Sequence, residues 1–170
     1  MTAHPMQPSD APATIVRPAT PADVPALGRL GALLVHVHHE FDAARFIPPP
    51  PDIEDAYAGF LGALLDDRAA IVLVAERDGQ VVGYTYAGIE GTDFLALRGP
   101  AGVLYDLAVD PTHRAHGVGR MLVDAAMTAL RARGLRQAVL FTAVQNESAQ
   151  RLFARAGFRP TMIEMTRELD

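Results

Sequence analysis

Leu107-Ala108-Val109-Asp110-Pro111-Thr112-His113-Arg114-Ala115-His116-Gly117-Val118-Gly119-Arg120 is the stretch on which the fold of this chain turns. Residues 103–109 form an apolar run short enough for a buried strand, and Asp110-Pro111 closes it. Beyond the loop, Val118, Met121, Leu122, Ala125 and Leu130 recur at helical spacing until Gly134, a residue type that ends helices. The loop therefore leads from the end of a strand to the start of a helix. Backbone N–H groups at that start have no partner inside the helix, and the helix dipole is positive there. Such an arrangement suits an anion of the pyrophosphate kind. Gly117 and Gly119 let the backbone come close without a Cβ in the way, and Arg114 and Arg120 add positive charge nearby. If three N–H groups reach the anion, each charge-assisted bond contributes about 1.5–3 kcal/mol net.

Two glycines in a loop can also do no more than ease a tight turn, so the rival phosphate motifs matter. A P-loop ends in Gly-Lys-Ser/Thr, whereas here Gly119 is followed by Arg120-Met121. A dinucleotide fingerprint needs a third glycine, and that position holds Leu122. Both rivals fail on named residues.

Working outward, residues 14–17 read as a first strand, and Thr20-Pro21-Ala22-Asp23 as a capped helix start. Val24, Leu27, Leu30, Leu33 and Leu34 continue that helix, and the four prolines at 48–51 forbid its extension. A second helix is expected over 52–66, with Tyr57, Phe60, Leu61 and Leu64 on one face. Residues 71–75 and 81–89 read as a hairpin joined at Asp78-Gly79. After the helix that ends at Gly134, residues 138–142 read as a strand, Asn146 as the cap of a last helix, and 161–169 as a closing strand. The order β-α-α-β-β-β-α-β-α-β implies a single α/β domain over 14–170, a mixed central sheet with helices on both faces. Its one parallel crossover joins the strand at 103 to the strand ending at 142. Residues 1–13 read as a flexible tail.

The bulk composition narrows the function classes. The chain has no cysteine, which removes disulfides, thiolate catalysis and Cys-based zinc sites. Its formal net charge is -5, and all 15 basic residues are Arg. Scattered Arg on an acidic chain is unlike a nucleic-acid binder, which concentrates basic charge on one face. No apolar run approaches the ~18 residues of a membrane helix, and no apolar signal core opens the chain. A cytoplasmic protein fits these features.

Arg114-Ala115-His116-Gly117-Val118-Gly119 resembles the Arg/Gln-x-x-Gly-x-Gly/Ala signature of the GCN5-related N-acetyltransferases, the GNAT superfamily. Downstream, the segment from Asn146 to Phe158 is similar to that family's Asn-x-x-Ala…Tyr/Phe-x-x-x-Gly-Phe motif. The resemblance runs from about Ile15 to the end and is strongest from Val103 onward. It implies a GNAT-like fold, acetyl-coenzyme A as co-substrate, no metal, and an amine of a small molecule or peptide as acceptor. Carried onto matching positions, it implies that Leu107, Ala108 and Val109 offer backbone groups to the pantetheine arm between splayed strands. Arg114, Ala115, His116, Gly117, Val118, Gly119 and Arg120 would wrap the pyrophosphate. Asn146 would bond the pantetheine, or serve as a plain helix cap, and Phe153 would pack beside it. The acceptor would be chosen by the first two helices and the loop between them.

Acetyl transfer to an amine needs that amine neutral, which costs about 4–5 kcal/mol for a group near pKa ~10.4. A carboxylate can take the proton, and a tyrosine can protonate the departing thiolate. Many family members carry Tyr where this chain has Phe153, so the acid must be another group or absent. Asp106, through water, is the candidate base and Tyr105 the candidate acid. Strand alternation sends the two to opposite faces. The run Tyr105-Asp106-Leu107-Ala108-Val109 resembles that of some small-molecule acetyltransferases, including aminoglycoside 3-N-acetyltransferases. Tyr84, Tyr86, Glu90 and Glu164 are further candidates. His36, His38, His39 and Glu40 share helical faces but lack the His-Glu-x-x-His spacing, leaving acceptor contact or an ordinary helix end. Phe153 also keeps open a non-catalytic acyl-coenzyme A-binding module. The edge of the closing strand at 161–169 could pair two copies into a homodimer.

Overall fold

In the computed structural model, residues 13–169 are described, so the tail expected over 1–13 lies outside them except for Ala13. The β-branched and aliphatic runs become five strands: β1 (Ile15–Pro18), β2 (Ala70–Arg77), β3 (Gln80–Glu90), β4 (Ala101–Val109) and β5 (Ala138–Leu140). They lie in one sheet in the order β1-β2-β3-β4-β5. The first four are antiparallel neighbours, while β5 runs parallel to β4. Asp78 and Gly79 both take positive φ (52° and 74°), as the tight β2–β3 turn demands.

Strand alternation divides the core into two layers. Ile71, Leu73 and Ala75 of β2 face one side, and Val72 and Val74 face the other. Against the first side packs α3 (Val118–Ala132) through Leu122, Val123, Ala126 and Leu130, joined by Phe153 of α4 (Glu147–Arg155). Against the second lie α1 (Val24–Phe41) and α2 (Ile53–Leu64) through Leu27, Leu30 and Leu61. Each of these fully buried leucines contributes about 1.5–3 kcal/mol of burial. Helices thus cover both faces of a mixed sheet.

Two glycines let α2 press directly on α1. A Cβ on Gly28 would lie 2.5 Å from the Glu54 carbonyl oxygen, and one on Gly31 would lie 2.0 Å from the Tyr57 ring. At the start of α1, Asp23 accepts from the Thr20 N–H (2.7 Å) and from Arg17 (2.7 and 2.9 Å). Arg17 also reaches Glu76 at 2.8 Å, so one guanidinium ties the first turn to β1 and β2.

The element order matches the expected one up to its last member. No strand forms over 161–169: Met162, Ile163 and Met165 lie exposed, and Glu164 instead contacts Arg45 in the α1–α2 connector. The reason is the neighbour. β5 is three residues long instead of the five expected over 138–142, and so offers too short a ladder to dock a further strand. A homodimer built on that strand's edge loses its basis with it.

Candidate active site

β4 and β5 pair only at Gly102–Ala138, Val103–Val139 and Leu104–Leu140. Beyond Leu104 the two strands part. The next residue of β4, Tyr105, is surplus in the ladder with β3, since Tyr86 pairs with Asp106 while Ala87 pairs with Leu104. A bulge of this kind bends its strand and adds twist. It also corrects the expectation of opposite faces. Tyr105 stacks on Tyr86 (centroids 4.8 Å apart), and Asp106 accepts from the Tyr84 hydroxyl at 3.0 Å, so both side chains stand on the α1–α2 side.

The backbone follows from the same register. Asp110 N–H donates to the Val82 carbonyl, so Asp110, Ala108 and Asp106 turn toward β3. Leu107 and Val109 then present their N–H and C=O groups to the side β5 has left. The Val109 carbonyl accepts from Arg114 Nε there, at 3.2 Å.

At the far end of this fork lies the start of α3. Ala115 (φ 64°) and Gly117 (φ 79°) are both left-handed, which curls the loop before the helix. Met121 is the first amide to find a helical acceptor, Gly117 O at 3.0 Å. The amides of Val118, Gly119 and Arg120 therefore have no acceptor inside the helix, as the loop motif predicts. The two glycines serve different ends. Gly117 supplies the positive φ, with open space where its Cβ would be. A Cβ on Gly119 would instead lie 3.2 Å from Leu152 Cδ2, so that glycine also lets α4 pack close. Arg120 likewise turns its guanidinium to Asp124 (2.7 Å) and the Arg155 carbonyl (2.9 Å), leaving its N–H as its contribution to the cradle. His116 Nδ1 bonds the Arg114 carbonyl at 2.8 Å.

A cavity of about 320 Å³ fills the fork and extends beneath α1 and α2. On the β5 side it meets Asn146, Ala149 and Phe153. Asn146 Oδ1 caps α4 by accepting from the Ala149 N–H at 3.1 Å, so the cap reading holds and the residue also borders the cleft. On the other side the cavity reaches Asp106, Tyr57 and His38. Burial pushes the Asp106 carboxyl above the usual carboxylate range, opposed by the Tyr84 hydrogen bond and the nearby His38. Burial also raises the Tyr57 and Tyr84 phenols, with Asp106 adding to both. The Tyr105 hydroxyl donates to Glu90 at 2.6 Å, and Arg98 holds the same carboxylate at 2.6 Å. Of the remaining sequence candidates, Glu164 pairs with Arg45, outside the cleft.

Sequence reasoning took Tyr57 for a core position and His38 for one of a histidine cluster. The signal for His38 was its step: it continues the Leu27-Leu30-Leu34 stripe, and its Nδ1 bonds the Leu34 carbonyl at 2.8 Å. His39 instead bonds the Phe46 carbonyl through Nδ1 at 3.1 Å, so the neighbouring imidazoles diverge. Among the described residues, no three His, Asp or Glu side chains gather as a metal-ligand set.

Residues 34–158 match the acetyltransferase (GNAT) family. A mycothiol acetyltransferase of Cellulomonas flavigena is 37% identical over 97 residues, covering 55% of this chain and 28% of that protein. The chain thus spans less than a third of the length of such curated relatives. A GCN5-related N-acetyltransferase from Ralstonia eutropha JMP134 superposes with a TM-score of 0.70 at 25% identity, over 92% of this chain and 99% of that one. An aminoglycoside N-acetyltransferase solved with CoA superposes with a TM-score of 0.72 at 19% identity, covering 96% and 99%.

Proposed function

The chain belongs to the GNAT acetyltransferase family, and from that footing we propose that it moves an acetyl group from acetyl-coenzyme A to a primary amine by direct attack in a ternary complex. The observation that carries this reading is the β4–β5 fork, with the unpartnered amides at the start of α3 at one end and the part-buried Asp106 on the cavity at the other. Its parts fit the coenzyme in sequence. The amides of Val118, Gly119 and Arg120 suit the diphosphate, with Arg114 beside them. The backbone groups of Leu107 and Val109 suit the amide-bearing arm, as a strand partner would, and Asn146 and Phe153 border it. When bound, acetyl-coenzyme A supplies an activated acyl group and a thiolate that leaves readily.

Asp106 then does the work specific to the amine. Raised by burial, its carboxylate is a better proton acceptor than a solvated one, and the Tyr84 hydroxyl fixes its orientation. The amine nitrogen attacks the acyl carbon, the C–N bond forms and the C–S bond breaks. The proton released by nitrogen passes to Asp106, directly or through one water. Tyr105 would have to release Glu90 before protonating sulfur. A thiolate with a conjugate acid near pKa ~8.5 can instead depart unassisted and take a proton from water.

Titration calorimetry with coenzyme A, followed by free-thiol detection with acetyl-coenzyme A and an amine panel, tests the proposal. Binding together with amine-dependent thiol release supports it. Tight binding with no release across the panel would favour the non-catalytic module that Phe153 leaves open.

A further inference from the structure

Resting on the acetyl-transfer reading, we infer that the acceptor subsite takes a primary amine that is the only cation on an apolar body. The walls of the cavity on the α1–α2 side carry the inference. α1 contributes Leu34 and Val35, the connector to α2 contributes Phe46 and Ile47, and α2 contributes Tyr57. Asp106 is the one carboxylate among all the lining residues. One ammonium group can therefore be paired at Asp106, and a second finds no carboxylate among the lining residues, which leaves its charge without a counter-ion.

The rim reinforces this selection. Arg45 lies over the Phe46 ring, 5.1 Å from its centroid. The acids nearby are committed elsewhere. Glu164 pairs with Arg45, Asp42 Oδ1 accepts from the Ala44 and Arg45 amides (3.1 Å each), and Glu90 pairs with Arg98. A polycation such as an aminoglycoside would find one carboxylate among the residues lining the cavity.

The aromatic wall is also held in place. Phe46 N–H donates to the Asp42 carbonyl (2.9 Å), its own carbonyl bonds His39, and its ring meets His38 edge-on with centroids 5.0 Å apart. An apolar group packing on Phe46 would meet a wall already held in place, losing little entropy on binding.

The test measures thiol release from acetyl-coenzyme A with 2-phenylethylamine, propylamine, kanamycin and a short peptide with a free N-terminus. The expected result is kcat/KM for 2-phenylethylamine at least about tenfold above each of the others. Phe46→Ala should raise its KM about tenfold with kcat largely kept. Because Ile47 is 69% exposed, Ile47→Ser will fold even if Phe46→Ala does not, and it should raise the same KM about threefold. Preference for kanamycin or the peptide, or an unchanged KM in Ile47→Ser, would overturn the inference while leaving acetyl transfer standing. Coenzyme binding with no thiol release from any amine would remove both.

Discussion

Replacing Asp106 by Asn separates the chemistry of this carboxylate from its packing. The amide is nearly isosteric, and its Oδ1 can still accept from the Tyr84 hydroxyl, which now lies 3.0 Å from the carboxylate. Burial penalises the charged form, so a neutral side chain relieves that cost, and thermal stability should hold or rise. Coenzyme A affinity should not move, because the cradle lies at the other end of the fork. Turnover should fall steeply. At pH 7.5 an amine of pKa ~10.4 is neutral about once in 10³ molecules, a cost of roughly 4 kcal/mol. A positioned base recovers about 10²–10⁴ in rate, so kcat should drop by that factor. Wild-type kcat/KM should climb as Asp106 ionises, at a pH above the ordinary carboxylate range, and Asp106→Asn should lose that limb. Above pH ~10, where the amine loses its proton unaided, the two rates should converge. Stopped-flow thiol detection from pH 5 to 10 on both proteins decides the matter. An unchanged kcat, or an intact acid limb in the variant, would refute Asp106 as base.

Gly117→Val forces a β-branched residue into φ 79°, costing about 1–2 kcal/mol. Both the melting temperature and coenzyme A affinity should fall, read by scanning and titration calorimetry. Tyr105→Phe removes the hydroxyl that donates to Glu90 but keeps the ring on Tyr86, so kcat should stay within about threefold. A loss of a hundredfold would restore Tyr105 as the acid. Arg17, chiefly through its hydrogen bonds, holds the Asp23 carboxyl at about 2, below its ordinary 3.8. A depressed carboxyl stabilises above its unfolded pKa, and that stability fades as pH falls through the folded one. Because Arg17 is 30% exposed, screening trims the contribution to about 1–2 kcal/mol. Urea unfolding should show Arg17→Gln weaker by that amount at pH 7, with most of the gap gone by pH 2.

What the sequence revealed was local chemistry. The loop before α3 could be read because a helix start exposes its amides whatever the rest of the chain does, and Gly117 takes the positive φ that its residue type permits. Asn146 was legible for the same reason, as a cap whose partner, Ala149, is three residues away. What stayed hidden depends on distant partners. Tyr105 is surplus only when counted against β3, so alternation along β4 alone sent its side chain to the wrong face. Tyr57 borders the cleft because Gly31, on another helix, leaves room for its ring. The strand expected over 161–169 had a plausible pattern but lacked a ladder long enough to receive it.

The surplus residue in β4 has an implication for how this site could be lost. Leu104 packs on the α3 side, and Asp106 faces α1 and α2. Excising Tyr105 would leave every other residue of β4 pointing where it already points. A one-codon deletion could thus heal the ladder, letting β4 and β5 zip onward past Leu104 without disturbing the hydrophobic layers. Such a protein should fold around a closed seam, without the fork proposed to take the coenzyme.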